Sequence, residues 1–234
     1  MAIIEQNLGR VHARIAAACA RAERPAQGVT LLAVSKTVAA DRVREAVAAG
    51  QRRFGENYVQ EGIDKIAALA DLRELIEWHL IGPLQGNKTR PVAEQFDWVH
   101  SVDRLKIAQR LNEQRPPDLP PLQVCLQVNI SGELSKSGLA MDQVLSVARA
   151  VAQLPRLTLR GLMSIPEPLG DMEAQRNPHR AMRALMGSLQ AEGLPVDTLS
   201  MGMSADLEAA VLEGATVVRV GTAIFGARAY PAAG

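Results

Sequence analysis

Short apolar runs alternate with longer helical patterns along almost the whole sequence. The apolar runs are rich in Val, Leu and Ile, which is typical of parallel strands that are buried on both faces. We predict eight strands, at residues 30–36, 53–55, 78–81, 98–101, 122–129, 157–164, 198–201 and 216–221. We predict helices at residues 41–49, 57–70, 86–94, 103–113, 141–153, 172–191 and 204–213, and an extra N-terminal helix from residue 3 to Arg24.

Eight β/α units in a chain of 234 residues favour the α/β class and a single closed (β/α)8 TIM barrel. An open, flavodoxin-like sheet with fewer strands is the alternative. We therefore expect one domain over residues 1–234. The Pro-rich segment 115–122 is interpreted as a connection between a helix and a strand. Loop 165–179 follows a strand, so it would lie on the functional rim and could cover a ligand.

The charge balance excludes several kinds of partner. A formal net charge of +1 gives no basic surplus for nucleic acid and no field for an anionic membrane. The opening helix carries Glu5, Arg10 and Arg14, which a signal peptide would not. Cys19 and Cys125 form no motif, so we expect reduced core thiols in a cytoplasmic protein. Neither nucleic acid, membrane nor metal is expected as a partner.

Lys36 closes the first predicted strand, where period-two alternation places it on one face with Leu32 and Val34. Catalytic and binding groups of a barrel collect at this C-terminal mouth. Partial desolvation there lowers the pKa of a lysine, and the neutral amine can then form a Schiff base with a carbonyl. A lysine that simply extends into solvent is the alternative, and it is the commoner case for a lone strand end.

Two C-terminal segments predict a phosphate site. Gly202 allows a tight turn after the seventh strand, and Ser204 stands where a helix N-cap belongs. Gly221 and Thr222 follow the eighth strand, where a glycine permits close approach of the backbone and a threonine adds a hydroxyl. The loops after strands seven and eight are the usual phosphate site of such barrels.

Arg219 lies inside the apolar eighth strand, and a buried guanidinium requires acceptors. One interpretation is a structural ion pair with a carboxylate elsewhere in the barrel. The other is a hydrogen bond from Arg219 to the ring nitrogen of a pyridine cofactor, pyridoxal 5′-phosphate (PLP). Such a bond would keep the nitrogen unprotonated and the ring a poor acceptor of carbanion electrons.

Seven motifs between residues 31 and 228 resemble those of the pyridoxal phosphate homeostasis family (YggS/PROSC type). They are LLAVSKT (31–37), FGENYVQEG (54–62), WHLIGPLQGNK (78–88), NISGELSKSG (129–138), RGLMSIP (160–166), LSMGMSADLEAA (199–210) and VRVGTAIFGAR (218–228). The resemblance implies a barrel like that of alanine racemase (PLP fold type III), with PLP linked to Lys36. It implies that Asn57 lies beside the cofactor and that Arg219 faces its ring nitrogen. Ser204, Gly221 and Thr222 would hold the phosphate, with Ser200 as a weaker candidate, and Lys136 matches a second PLP contact or a solvated loop lysine.

Three functions remain open at this point. The first is a PLP-binding protein that stores, buffers or delivers the cofactor through a reversible Schiff base on Lys36, without robust turnover. The motivating observation is that the chain stops at Gly234, so we expect no second domain to supply a racemase's other acid/base group. The second is a small PLP-dependent racemase or lyase acting on amino acids, and the third is a barrel that binds a sugar phosphate or a protein partner without PLP. Apo PLP-dependent enzymes are the expected recipients, and the chain is expected to be a monomer or weak dimer.

Overall fold

The computed structural model describes residues 3–132, 137–167 and 170–226. Within these residues, parallel strands pair side by side in chain order, and the last strand pairs with the first to close a barrel. The strands are β1 (Thr30–Val34), β2 (Arg53–Glu56), β3 (Glu77–Leu80), β4 (Trp98–Val102), β5 (Leu122–Gln127), β6 (Leu157–Met163), β7 (Thr198–Ser200) and β8 (Val217–Val220). The predicted TIM barrel is therefore confirmed.

The helices surround the barrel and bury one apolar stripe each against it. In the helix Val144–Val151, for example, the buried residues Val144, Ala148 and Val151 recur at helical spacing. The helices are α1 (Ile3–Arg21), α2 (Ala40–Ala48), α3 (Val59–Ala68), α4 (Thr89–Gln95), α5 (Leu105–Gln114), α6 (Val144–Val151), α7 (Met172–Ala191), α8 (Leu207–Leu212) and α9 (Thr222–Phe225). Short 3₁₀ turns occupy Ala26–Gly28, Ala70–Leu75, Gly86–Lys88 and Met141–Gln143.

The predicted start of the helix after β7 was wrong, and the expected loop 165–179 is shorter than predicted. The helix expected from residue 204 begins at Leu207, because the Asp206 side chain accepts a hydrogen bond from the Met203 amide at 2.7 Å and holds a separate turn there. The helix predicted at residues 172–191 is confirmed, so the expected loop ends at Asp171, whose carboxylate caps the helix by accepting from the Ala174 amide at 2.8 Å. Residues 168–169 of that segment lie outside the described residues.

The barrel interior combines apolar packing with buried polar side chains. Leu32, Ile81 and Val217 form one small cluster, and Gly55 makes room for it. A Cβ atom at residue 55 would lie only 3.1 Å from Leu32 and 3.2 Å from Ile81. The interior also contains four buried polar residues: His79, His100, Ser200 and Arg219. Buried polar groups of this kind need hydrogen-bond partners, which the strands supply to one another.

Helix α1 supports the end of the barrel that carries the last two loops. Its apolar stripe is buried, and polar residues beside the stripe reach the loops directly. Asn7 donates to the Ile224 carbonyl at 2.9 Å, and Arg14 donates to the Ser204 carbonyl at 2.9 Å and to Glu208. The extra N-terminal helix therefore fixes the loops after β7 and β8 from behind.

Among the described helices, none combines the length and the apolar character that crossing a lipid bilayer requires. Both cysteines are buried free thiols. Burial raises the pKa of Cys125 to about 12, so this thiol stays protonated.

Candidate functional site

A cavity of about 380 Å³ opens at the C-terminal mouth of the barrel, where β1, β2 and β8 end. Six of the seven predicted site residues line this one cavity: Lys36, Asn57, Ser204, Arg219, Gly221 and Thr222. Apolar side chains, including Val34, Ile81 and Phe225, complete its wall. The structure therefore brings together residues that are as many as 186 positions apart (36 to 222).

Lys36 is half-buried and lies between two residues that a buried cluster holds in place. The Lys65 ammonium donates to the Ser35 carbonyl at 2.5 Å, to Glu56 at 2.9 Å and to Glu61 at 2.6 Å. The Ser35 hydroxyl also donates to Glu56, at 2.6 Å, and the Thr37 amide donates to Glu61 at 2.5 Å. The strand predicted to reach Lys36 ends at Val34, and Lys36 lies in the turn that follows, where Thr37 adopts a left-handed φ of 62°.

The cluster around Glu56 is a buried electrostatic unit. Glu56 is fully buried and Lys65 is only 6% exposed. Burial raises the pKa of Glu56, and the Lys65 ammonium and the Ser35 hydroxyl oppose that rise without cancelling it. Because Ser35 and Thr37 are both bonded to this unit, it fixes the backbone from which the Lys36 side chain projects.

Another part of the cavity wall is formed by the turns that follow β7 and β8, including Ser204, Ala205 and Thr222. Within the parts of the chain that the structure describes, the amides of these three residues donate to no other backbone group. Gly221 lets this wall pack closely against β1, because a Cβ there would lie 3.0 Å from the Val34 carbonyl oxygen. Unengaged amides beside a close backbone approach are typical of an anion site.

The turn that carries Ser204 is held rigidly from outside the cavity. Gly202 has a φ of 90°, and a Cβ on it would lie 2.4 Å from the Ala210 Cβ. Asp206 accepts from the Met203 amide at 2.7 Å and bonds the buried His179 at 2.9 Å. Burial alone would raise the pKa of Asp206, but the bonds from His179 and Met203 outweigh it and lower the pKa. Ser204 thus lies in a fixed turn before α8 rather than at its N-cap.

Arg219 forms part of the cavity floor and is only 4% exposed. It donates to the Ser200 hydroxyl at 2.8 Å and to the Ser164 carbonyl at 2.7 Å. The ion pair that the sequence left open is not formed among the described residues. Burial lowers the pKa of Arg219 to about 10, so the guanidinium is still charged at neutral pH and has donors available.

Asn57 lines the cavity beside Lys36, and its side-chain oxygen is buried with no hydrogen-bond partner in the described structure. Gly82 permits this placement, because a Cβ there would lie 2.0 Å from the Asn57 carbonyl oxygen. A buried acceptor without a partner costs free energy, and a ligand donor would satisfy it.

The two remaining candidates stand differently. Ser200 does not line the cavity and lies behind Arg219. Its hydroxyl oxygen accepts a hydrogen bond from the Arg219 guanidinium, and the same hydroxyl bonds His100 at 2.7 Å. Lys136, and with it the suggested second PLP contact, lies outside the described residues. His79 and His100 are hydrogen-bonded to each other inside the barrel, at 2.8 Å.

Sequence reasoning missed the Ser35–Glu56–Lys65 cluster. Two signals were available in the sequence. Glu56 stands at the end of the short strand RFGE, and Glu61 and Lys65 are four residues apart on a helix. Within the described ranges, no group of three or more His, Cys, Asp or Glu side chains could hold a metal ion.

A larger groove, of about 980 Å³, lies at the other mouth of the barrel, where the strands begin. Some of its charges are paired: Arg53 bonds Glu77 at 3.0 Å and Arg73 bonds Asp97 at 2.6 Å. None of the predicted site residues lines it. The smaller cavity at the C-terminal mouth is therefore the candidate site.

Comparisons with known proteins agree with this geometry. The sequence profile of the family "Alanine racemase, N-terminal domain" matches residues 6–229. The pyridoxal phosphate homeostasis protein of Pseudomonas aeruginosa is 60% identical over 232 residues, covering 99% of each chain, and that of Escherichia coli K12 is 54% identical over 228 residues, covering 97% of each. The solved structure of PipY from Synechococcus elongatus with PLP bound has a TM-score of 0.83 and 40% identity, over 95% of this chain and 100% of that one. The chain belongs to the alanine racemase N-terminal domain family and, within it, to the pyridoxal phosphate homeostasis proteins.

Proposed function

We propose that this chain is a PLP-binding protein of PLP homeostasis, which stores, buffers or delivers the cofactor through a reversible Schiff base on Lys36. The observation that carries the proposal is the shared cavity, in which an amine, a guanidinium and a set of unengaged amides face one space. The relative PipY, which was solved with PLP bound, supports it.

The residues of the cavity fit PLP group by group. The Lys36 amine matches the aldehyde, and Arg219 offers a charged donor for the ring nitrogen. Ser204, Gly221 and Thr222 border the amides that match a phosphate dianion. Asn57 contributes the buried oxygen that needs a donor. The charge of Arg219 and the amide dipoles supply locally the positive potential that the net charge of +1 does not.

Arg219 argues against chemistry that needs strong electron withdrawal into the ring, but it still permits racemisation. When bound, PLP supplies an aldehyde that condenses reversibly with amines and a pyridine ring that can accept electrons if its nitrogen is protonated. Arg219 has a pKa of about 10 and remains a donor at neutral pH, so it would leave that nitrogen unprotonated. Lys36 then acts as an anchor that an incoming amine or water can displace.

We further propose that apo PLP-dependent enzymes of the cytoplasm receive the cofactor and that the chain works as one PLP-binding domain, as a monomer or weak dimer. The relatives from Pseudomonas aeruginosa and Escherichia coli, which are named pyridoxal phosphate homeostasis proteins, support a role in PLP homeostasis. The buried free thiols Cys19 and Cys125 are consistent with a reducing compartment.

Absorbance spectroscopy tests the proposal. The protein is incubated with PLP, desalted and scanned, and a band of a protonated Schiff base that hydroxylamine removes is expected. Lys36→Ala should lose the band, and Lys106→Ala, which removes an exposed lysine of α5, should keep it. The reconstituted protein should not exchange the Cα hydrogen of free amino acids with deuterium. An equal band in Lys36→Ala, or rapid exchange with any amino acid, would contradict the proposal.

A further inference from the structure

A continuous chain of hydrogen bonds crosses the barrel interior from one mouth to the other. Glu77, at the start of β3, bonds His79 Nε2 at 2.9 Å, and His79 Nδ1 bonds His100 Nε2 at 2.8 Å. His100 Nδ1 bonds the Ser200 hydroxyl at 2.7 Å, and Ser200 accepts from Arg219 at 2.8 Å. Glu77 is 38% exposed at its side chain, whereas both histidines are buried. The chain therefore connects the groove at the far mouth to the floor of the cofactor cavity.

The two ends of this chain determine the direction of every bond. A guanidinium only donates and a carboxylate only accepts. If Glu77 is ionised, His79 donates through Nε2 and, being neutral, accepts at Nδ1. His100 then donates through Nε2 and accepts at Nδ1 from the Ser200 hydroxyl, whose oxygen accepts from Arg219. If both imidazoles are neutral, all four bonds are satisfied only when each ring carries its proton on Nε2.

One added proton has a defined consequence. A doubly protonated His79 would donate to Glu77 and also, through Nδ1, to His100. His100 would then have to donate to Ser200, whose hydroxyl proton would lose its acceptor in the chain. Two bonds reverse, and positive charge is placed in the same buried interior as Arg219. Proton uptake at the far end therefore disturbs the group that faces the cofactor.

The charged and titratable groups around the histidines favour the neutral state. His79 faces Glu77, Asp97 and Arg53, and its ring stacks on Trp98 with centroids 5.2 Å apart. His100 faces His79 and Arg219. Burial lowers the pKa of His79 despite Glu77, and burial together with the His79 and Arg219 charges lowers the pKa of His100 well below its ordinary value. The His79–His100 pair therefore takes up a proton only under acidic conditions.

We propose that Glu77, His79, His100 and Ser200 form a positioning relay that orients Arg219 toward the cofactor and weakens PLP binding when it takes up a proton. The relay rests on the proposed function, because Arg219 matters to the cofactor only if PLP occupies the cavity. Its residues bond one another and reach Arg219 only through Ser200, so they are positioning residues rather than catalytic ones. Ser200 is the essential link, since it is bonded to both His100 and Arg219.

The first test uses the PLP-free protein and is independent of cofactor binding. Long-range ¹H–¹⁵N correlation spectra report the tautomer of each of the four histidines, assigned with His79→Gln and His100→Gln. Near neutral pH, both His79 and His100 are expected as neutral Nε2–H tautomers. An Nδ1–H tautomer or a cationic ring at either position would overturn the relay.

The second test measures the dissociation constant of PLP against pH. Affinity should fall on the acid side of neutrality in the parent protein. Glu77→Gln removes the carboxylate that stabilises a protonated His79. The fall in PLP affinity at acidic pH, the acid limb of the profile, should therefore shift by about half a pH unit or more toward lower pH. Glu74→Gln, which changes an exposed carboxylate bordering the same groove, should leave the limb in place. An acid limb that Glu77→Gln does not move contradicts the relay.

Ser200 supplies the third test. Ser200→Ala should weaken PLP binding about tenfold, since a hydrogen bond to a charged group is lost, and Ser200→Thr should restore it. An unchanged affinity and pH profile in Ser200→Ala would refute the positioning role, and if that variant does not fold, Glu77→Gln still decides the question. Failure of the parent protein to bind PLP would instead refute the proposed function, while the tautomers would still test the relay.

Discussion

Replacing Lys65 with methionine tests whether the buried cluster beside Lys36 is a stabilising unit. Lys65→Met keeps an unbranched chain but removes the ammonium that bonds Ser35, Glu56 and Glu61. The fully buried Glu56 carboxylate would then have the Ser35 hydroxyl as its remaining hydrogen-bond partner in the described structure. Loss of one partner of a buried ion pair costs about 3–5 kcal/mol, because the other charge is left uncompensated.

The penalty should depend on pH in a definite direction. The pKa of Glu56 is already raised by burial, and removal of Lys65 raises it further. The native variant then binds a proton that the unfolded chain has released, so its stability falls as pH rises above the ordinary carboxylate range, by at most about 1.4 kcal/mol per pH unit. The loss of stability relative to the parent should thus be larger at about pH 8 than at about pH 5.5.

Urea unfolding followed by circular dichroism at these two pH values measures the effect. Lys88→Met, at an exposed lysine, serves as the matched control and should change the free energy of unfolding by less than about 0.5 kcal/mol. The double variant Lys65→Met/Glu56→Gln should recover part of the loss and remove its pH dependence. A loss below about 1 kcal/mol in Lys65→Met, or an equal loss at both pH values, would refute the reasoning.

Three further predictions concern other parts of the chain. Gly161→Ala should destabilise the barrel by more than about 3 kcal/mol or prevent folding, because φ is 153° and the new Cβ would lie 2.0 Å from the Thr198 carbonyl oxygen. Thermal unfolding measures this, and a variant as stable as the parent would count against it. Asp206→Asn should weaken binding of inorganic phosphate and of PLP, because the turn before α8 loses a charged acceptor for Met203 and His179; calorimetric titration should show a loss of about 1–3 kcal/mol, and unchanged affinity would contradict it. Cys125, with a pKa raised by burial to about 12, should resist alkylation in the native protein and react after denaturation; mass spectrometry of iodoacetamide-treated protein checks this, and native labelling at Cys125 would refute it.

The sequence predicted the barrel and most of its site because the relevant signals are local. Apolar runs locate strands, and glycines such as Gly221 mark points where the backbone must approach closely. Lys36 ends one predicted strand and Thr222 follows another, so barrel closure alone brings them to one mouth. These features require only that the strand order be right.

The supporting residues could not be predicted in the same way. Lys65 bonds the carbonyl of Ser35, 30 residues earlier, and His100 bonds Ser200, 100 residues later. Such pairs meet only after the strands have paired in register, and no local pattern records the register. The start of α8 was missed for a related reason: the side chain of Asp206 bonds backward to Met203 and forms a turn that competes with the helix.

Borohydride reduction tests the central claim most directly. The protein is incubated with PLP, reduced, digested and mapped by mass spectrometry, and its five lysines make each attachment site distinguishable. We predict a phosphopyridoxyl group on the peptide that contains Lys36, and much less pyridoxyl adduct at Lys36 when phosphate-free pyridoxal replaces PLP at the same concentration. An unmodified Lys36, or modification spread evenly over all the lysines, would contradict it.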